Sequence, residues 1–449
     1  MTETRDQGRP VVNGQVRPFL DLRAAMLLVI ANMVGTGVFT TLGLQAAGVQ
    51  DGAALLLLWL LGGLIALCGA LSYAELAAAL PRSGGEYHFL SRIYGPRLGE
   101  LAGWVSATVG FAAPMALAAM AFGRYAGSVL PVSPLWLGLG AVTLISALHA
   151  ADLDLGRRFQ VVATLLKVAI ILVFCAAGLM VSPAPGTLSV IPGPGTWSAV
   201  FSAPFGLSLI YVSYAYSGWN AATYVTAEVA APQRQVPRAL LWGTAAVTVL
   251  YLLLNLVFLR SVPLAELAGT VEVGALSAAH VFGVDAGRLM SVALSLLLVS
   301  TISAMALAGP RVIEVMAEDR PRLRLLSART RRGAPLRAVL FLWTLAAAFI
   351  LTDAFAAVLG LAGFTLILFS LLTVLGVFRL RRREPNLPRP FRVPWYPLPP
   401  LVFALLAVLS LVVVAVDQPL PVLLGLALLA LVWLGLGGSL RASPKGQDR

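Results

Sequence analysis

The chain has 449 residues, of which 59% are hydrophobic and only 12% charged, and its formal net charge is +12. That apolar excess places it among polytopic membrane proteins and excludes a soluble fold. On a scheme of twelve spans with both ends inside, about 28 of the 32 Lys and Arg fall on the cytoplasmic face, with only Arg124, Arg260 and Arg288 outside, so the charge reports topology and no nucleic-acid partner.

The apolar runs, numbered 1 to 12, cover 23–48, 53–80, 99–128, 134–150, 158–181, 204–229, 239–259, 286–317, 335–353, 356–379, 395–416 and 419–439. Short loops join them and leave no room for a soluble domain. The first seventeen residues are polar and lead straight into span 1, so no cleaved signal is expected. Cys68 and Cys175 lie within apolar runs without metal-ligand spacing, which predicts neither a disulfide nor a metal site.

Within span 1, Val34-Gly35-Thr36-Gly37-Val38-Phe39 interrupts the aliphatic pattern. Two glycines around a threonine continue a helix poorly, and a backbone opened at membrane depth persists only where protein, water or a ligand satisfies its polar groups. The segment reads equally as a substrate site or as a place of close helix packing. After span 2 comes Pro81-Arg82-Ser83-Gly84-Gly85-Glu86-Tyr87, a turn-rich segment that reads as a hinge or lid.

Gly156, Gln160, Thr164 and Lys167 share one face of span 5. The chain has 30 Arg and two Lys, the other being Lys445, so a lysine about ten residues into a span departs from its own habit. A compact ammonium that loses its proton when desolvated suits a proton carrier, or a fixed cation in the place of a bound sodium ion. Snorkelling explains it less well, because arginine snorkels too.

Span 6 carries a second interruption, Tyr214-Ala215-Tyr216-Ser217-Gly218-Trp219-Asn220. An aromatic belt is the plainer account, but the cluster lies in mid-span. Breaks in the first and sixth spans are the pattern of an inverted five-helix repeat holding a site at the midplane. Span 8 adds Ser300, Thr301 and Ser303, which serve equally as an ion site or as hydroxyls bonded to their own helix. Glu75, Glu86 and Glu228 stand near cytoplasmic helix ends, where an ion pair or cap is expected, and His88, His149 and His280 receive no role.

Gly35 to Phe39, the Pro81 to Tyr87 loop, Lys167 with Gln160, Tyr216 to Asn220, Val236-Pro237-Arg238-Ala239 and Pro388-Arg389-Pro390-Phe391-Arg392-Val393-Pro394 together resemble the amino acid-polyamine-organocation superfamily. The likeness covers nearly the whole chain and is strongest to the L-type amino acid transporter branch and its bacterial relatives. It implies an all-α fold of the leucine-transporter type with twelve transmembrane helices, of which 1 and 6 are unwound. The expected units are a tail at 1–22, repeats at 23–182 and 203–382, helices 11 and 12 at 393–440, and a tail at 441–449, with both termini cytoplasmic in a bacterial cytoplasmic membrane.

The resemblance also implies a site. Amides of Gly35, Thr36 and Gly37 would bind a substrate carboxylate, and carbonyls of Met33, Tyr214 and Ser217 its ammonium. Tyr214, Tyr216, Ser217, Trp219 and Asn220 would form the gate and side-chain pocket, and Lys167 with Thr301 and Ser300 would replace sodium or carry a proton. Tyr214 stands where the family often has Phe, and Ser217 where it often has Gly, which narrows the pocket. The arginine-agmatine exchange branch carries an acid where Asn220 stands, and no acid falls at either break here. The expectation is therefore sodium-independent exchange of small neutral L-amino acids by alternating access, with proton symport as runner-up. A cationic amino acid or polyamine carrier and a non-transporting receptor rank lower. No enzyme activity, cofactor, metal or partner subunit is expected.

Overall fold

The computed structural model describes residues 11–12, 15–16, 20–127, 129–270, 272–330, 332–417 and 419–437. The tail at 441–449, with Lys445, and most of the tail at 1–22 lie outside them. The described chain is helical apart from its loops, a two-residue antiparallel pairing of Val11–Val12 with Gln15–Val16, and a bridge between Leu20 and Val229.

Among the described residues, nine helical stretches are long and apolar enough to cross a bilayer, and they coincide with spans 1 to 5, 7, 8, 10 and 11. At spans 6, 9 and 12 the apolar helices are shorter: Ala203–Ala215, Leu336–Leu351 and Pro419–Leu434. The segment between spans 7 and 8, expected as a plain loop, contains the helix Val273–Phe282.

Several helices begin before their apolar runs do. Span 5 starts at Leu153 because the Asp152 side chain accepts from the Asp154 and Leu155 amides. That N-cap starts the helix through Asp154, Arg157 and Arg158, residues too polar for a hydropathy pattern to include. Span 7 starts at Pro232, a residue whose fixed φ and missing N–H suit the first helical turn.

Packing around the middle of the molecule depends on small residues. A Cβ on Gly63 would come within 2.3 Å of Thr248, and one on Gly62 within 2.1 Å of Val212. Span 2 therefore lies against spans 7 and 6 at distances that only glycine allows. In span 3 the helix widens to a π-helical segment, Ser106–Ala112, which turns Gly110 and Phe111 toward the region where spans 1 and 6 break.

Candidate substrate site

Span 1 ends its first helix, Leu22–Met33, and begins its second, Gly37–Gly48, after three intervening residues. Span 6 ends its helix at Ala215, turns through 216–220, and continues as a 3-10 helix, Ala221–Glu228. The two interruptions cross in contact. A Cβ on Gly37 would lie 2.8 Å from the Ala215 Cα, and one on Gly218 would lie 2.8 Å from the Asn32 carbonyl oxygen. Gly218 also has φ +98°, a conformation that costs side-chain-bearing residues energy.

The polar groups freed at these breaks find specific partners. Tyr251, from span 7, places its hydroxyl 2.7 Å from the Met33 carbonyl and 2.9 Å from the Ala215 carbonyl, so one donor serves the C-terminal ends of both half-helices. The Met33 carbonyl also accepts from the Gly35 amide, and the Tyr214 carbonyl accepts from the Ser217 amide. Lys167 donates to the Val34 carbonyl at 2.6 Å, to Thr301 Oγ1 at 2.8 Å and to the Ala31 carbonyl at 3.3 Å. An ammonium at the last turn of a helix meets the negative end of its dipole. Thr301 in turn donates to the Val34 carbonyl at 3.0 Å. Ser300, grouped with Lys167 by sequence, instead shares a hydrogen bond with Thr164, which is bonded to Gln160.

A cavity of about 70 Å³ lies at the crossing, lined by Thr36 and Gly37 of span 1, Phe111 of span 3, Tyr214 and Ser217 of span 6, and Leu366 of span 10, among others. Every side chain in its described wall is uncharged. Thr36 occupies the N-cap of the Gly37–Gly48 helix without making a side-chain cap hydrogen bond. First-turn amides of a helix have no intrahelical acceptor, so this end is open to an anion.

Tyr216 and Trp219 face elsewhere. They line a second cavity of about 80 Å³ with Phe403 and Ser410, while Ser217, Gly218, Asn220 and Leu366 border both cavities. Tyr216 donates to the Trp59 carbonyl at 3.0 Å. Asn32, Pro114, Tyr224 and Met305 also line the first cavity and were not anticipated. Tyr251 did not stand out in the sequence either, because span 7 also carries Thr244, Thr248 and Asn255.

On the side where span 1 begins, ion pairs join the ends of the spans. Arg311 of span 8, 2% exposed, meets Glu228 at 2.7 Å and Glu314 at 2.5 Å. Arg82 meets Asp319 at 2.7 Å, and the Tyr87 hydroxyl donates to the same carboxylate at 2.9 Å. The Gly84 and Gly85 amides donate to the carbonyls of Tyr224 and Thr223, so the glycine pair is bonded to the far half of span 6. Glu75 is held by Arg381 and Arg389. Among the described residues there is no cluster able to hold a metal ion, and the His149 ring shares a 2.8 Å hydrogen bond with Ser303.

A small cavity, uncharged in its described wall, thus lies at the crossing of two interrupted helices inside an apolar helical bundle, a place that can hold a small polar molecule away from lipid. The chain belongs to the amino acid permease family, whose model matches residues 20–435, and it is a transporter rather than an enzyme. Its relatives include the serine/threonine exchanger SteT of Bacillus subtilis, 28% identical over 85% of this chain and 88% of that protein. Others are the mouse b(0,+)-type amino acid transporter 1, 25% identical over 89% and 82%, and the mouse large neutral amino acids transporter small subunit 2, 26% identical over 91% and 78%.

Proposed function

We propose that this protein exchanges small neutral L-amino acids across a bacterial cytoplasmic membrane, independently of sodium, by alternating access of one site at the crossing of spans 1 and 6. The observation that carries the reading is the cavity wall. It offers uncapped first-turn amides at Thr36 and Gly37 and no charged side chain, which suits a zwitterion whose own side chain is uncharged. Thr36 and Gly37 take the carboxylate, joined by Gly35 once its amide leaves the Met33 carbonyl. Carbonyls of Met33, Tyr214 and Ser217 take the ammonium, and Tyr251 yields its place on Met33 as the substrate enters. Tyr214, Ser217 and Asn220 set the space for the side chain, and Tyr216 and Trp219 support that wall from the second cavity.

Lys167 acts as a fixed cation in place of sodium. Its three acceptors, two of them carbonyls of span 1, tie the break to spans 5 and 8, as a bound ion would. The repeats at 23–182 and 203–382 supply the two halves of the site, with helices 11 and 12 outside them and both termini cytoplasmic. The exchanger among the bacterial relatives favours antiport over the runner-up, proton symport. No partner subunit is required by this reading.

Uptake of labelled serine and alanine into sodium-free proteoliposomes tests it. Uptake that needs unlabelled amino acid inside, and that alanine, serine and threonine inhibit better than phenylalanine or tryptophan, is the expected result. Uptake into empty vesicles driven by a proton gradient would replace exchange by symport, and stronger competition by the aromatics would overturn the small-substrate assignment.

A further inference from the structure

Among the described residues, five glutamates are buried to 6% exposure or less: Glu75, Glu86, Glu100, Glu228 and Glu314. Four of them have arginine partners. Glu75 has Arg381 and Arg389, Glu100 has Arg320 and Arg322, Glu228 has Arg311, and Glu314 has Arg311 and Arg329. Among the described ion pairs Glu86 has none, although it is only 1% exposed.

What surrounds Glu86 is neutral and comes from three other elements. Its Oε1 accepts from the Tyr73 hydroxyl of span 2 at 2.6 Å, from Asn220 Nδ2 of span 6 at 3.3 Å and from the Ser370 hydroxyl of span 10 at 3.3 Å. The Tyr224 hydroxyl is a further neighbour. The titratable groups facing the carboxyl are thus Tyr73 and Tyr224, both phenols that stay neutral at physiological pH. The Tyr73, Asn220 and Ser370 donors converge on Oε1, and no cation stands among them.

An ionised carboxylate shut away from water without a cation is costly, and neutral donors offset only part of that cost. Burial pushes the Glu86 carboxyl up to about 7, against the hydrogen bonds from Tyr73, Ser370, Asn220 and Tyr224, which favour its ionised form. The group also stands where it can register movement. Asn220 borders both cavities and Ser370 borders the second, so separation of spans 2 and 6 from span 10 would remove its donors and admit water.

We propose that Glu86 is a proton-binding site coupled to the substrate pocket. Its carboxyl holds a proton while spans 2, 6 and 10 are closed around it. When they part, the O–H bond breaks, the electron pair stays on the carboxylate and the proton passes to water. This coupling rests on the alternating-access reading above, whereas the proton site itself does not. Lys167 remains a fixed cation in this scheme, and Glu86 is the group that makes exchange sensitive to pH.

Infrared spectra of the full-length protein in lipid, titrated from about pH 5 to about pH 9, test the site without requiring transport. The protonated-carboxyl band should disappear in the wild type with a midpoint near neutrality and be absent from Glu86→Gln. Tyr73→Phe keeps the carboxyl but removes the closest donor to its ionised form, so its midpoint should rise by about one pH unit. If Glu86→Gln does not fold, the Tyr73→Phe shift still decides the matter. A wild type lacking a band that titrates near neutrality, or a Tyr73→Phe midpoint equal to that of the wild type, would overturn the proposal.

Serine exchange measured across the same range tests the coupling. The wild-type rate should change through the infrared midpoint, and the Tyr73→Phe profile should move with its own. Profiles that coincide while the midpoints differ would make Glu86 a proton site with no bearing on transport. A wild type that exchanges nothing would sink the exchange reading, while the infrared titration would still decide the proton site.

Discussion

The Lys167 ammonium lies 2.6 Å from the carbonyl oxygen of Val34 and so joins the middle of span 5 to the end of the first half of span 1. The same ammonium reaches Thr301 of span 8, which donates to the same Val34 carbonyl. Three spans therefore meet on one cation. Lys167→Ala should lower serine exchange at least tenfold, roughly the effect of losing a charge-assisted hydrogen bond or more. Wild-type exchange rates in this variant would remove Lys167 from the mechanism.

Gly218 is a position where added volume has nowhere to go. Its φ of +98° and the Asn32 carbonyl, which would lie 2.8 Å from a Cβ there, both oppose a side chain. Gly218→Ala should cost about 1–3 kcal/mol in backbone strain alone. A thermal-unfolding midpoint several degrees lower, with exchange lost, is the expected outcome. A variant as stable and active as the parent would show that the two breaks separate easily.

Ser217 stands at the border of both cavities. Ser217→Gly removes a side chain from the wall between them, so larger amino acids should gain at the expense of smaller ones. Competition assays should show phenylalanine or leucine improving severalfold against serine, since each methylene admitted to an apolar pocket is worth about 1 kcal/mol. An unchanged order of inhibition would mean that another residue sets the size limit.

Arg311 is buried between Glu228 and Glu314, joining the far end of span 6 to span 8. Arg311→Met leaves two buried carboxylates with less compensation and should destabilise the fold by about 3–5 kcal/mol. Glu314 keeps Arg329. The double variant Arg311→Met with Glu228→Gln should recover part of the loss in detergent melting curves. Additive losses would show that the pair is not coupled.

His88 lies in the short helix Glu86–Tyr94, outside the membrane-spanning stretches. Burial, with help from Arg82, lowers its imidazole to about 4. The unfolded chain then binds the proton more readily than the folded one, so stability at neutral pH is progressively lost as pH falls from about 6.5 through about 4. The loss attributable to His88 is about 3 kcal/mol at most. Thermal melts of wild type and His88→Phe over that range should diverge, with the variant losing less stability on acidification. Parallel curves would assign the acid sensitivity to other groups.

The sequence by itself marked where the helices cross and where two of them break. Gly35-Thr36-Gly37 and Ser217-Gly218 are legible because glycine and hydroxyl residues are out of place in an aliphatic helix, and local backbone preference acts over a few neighbouring residues. Lys167 was legible for a related reason: a charge in a span needs an account wherever its partners lie. Its partner Thr301 was also within reach, but the choice between Ser300 and Thr301 depends on the rotation of span 8, which these adjacent polar residues do not specify.

Only the tertiary structure decided which side chains share a cavity and which buried charges are paired. Tyr216 and Trp219 belong to the same sequence cluster as Tyr214 and Ser217, yet they face a different space, because the turn at 216–220 redirects the chain. Tyr251 reaches two carbonyls from residues 218 and 36 positions away. Glu75, Glu86 and Glu228 look alike in the sequence, each an acid near the end of a span. Their environments differ because the arginines that neutralise Glu75 and Glu228 arrive from spans far along the chain, while Glu86 receives only hydroxyls and an amide. Local preference places a break, but the partners of a buried polar group are set by helices that meet only when the whole bundle has packed.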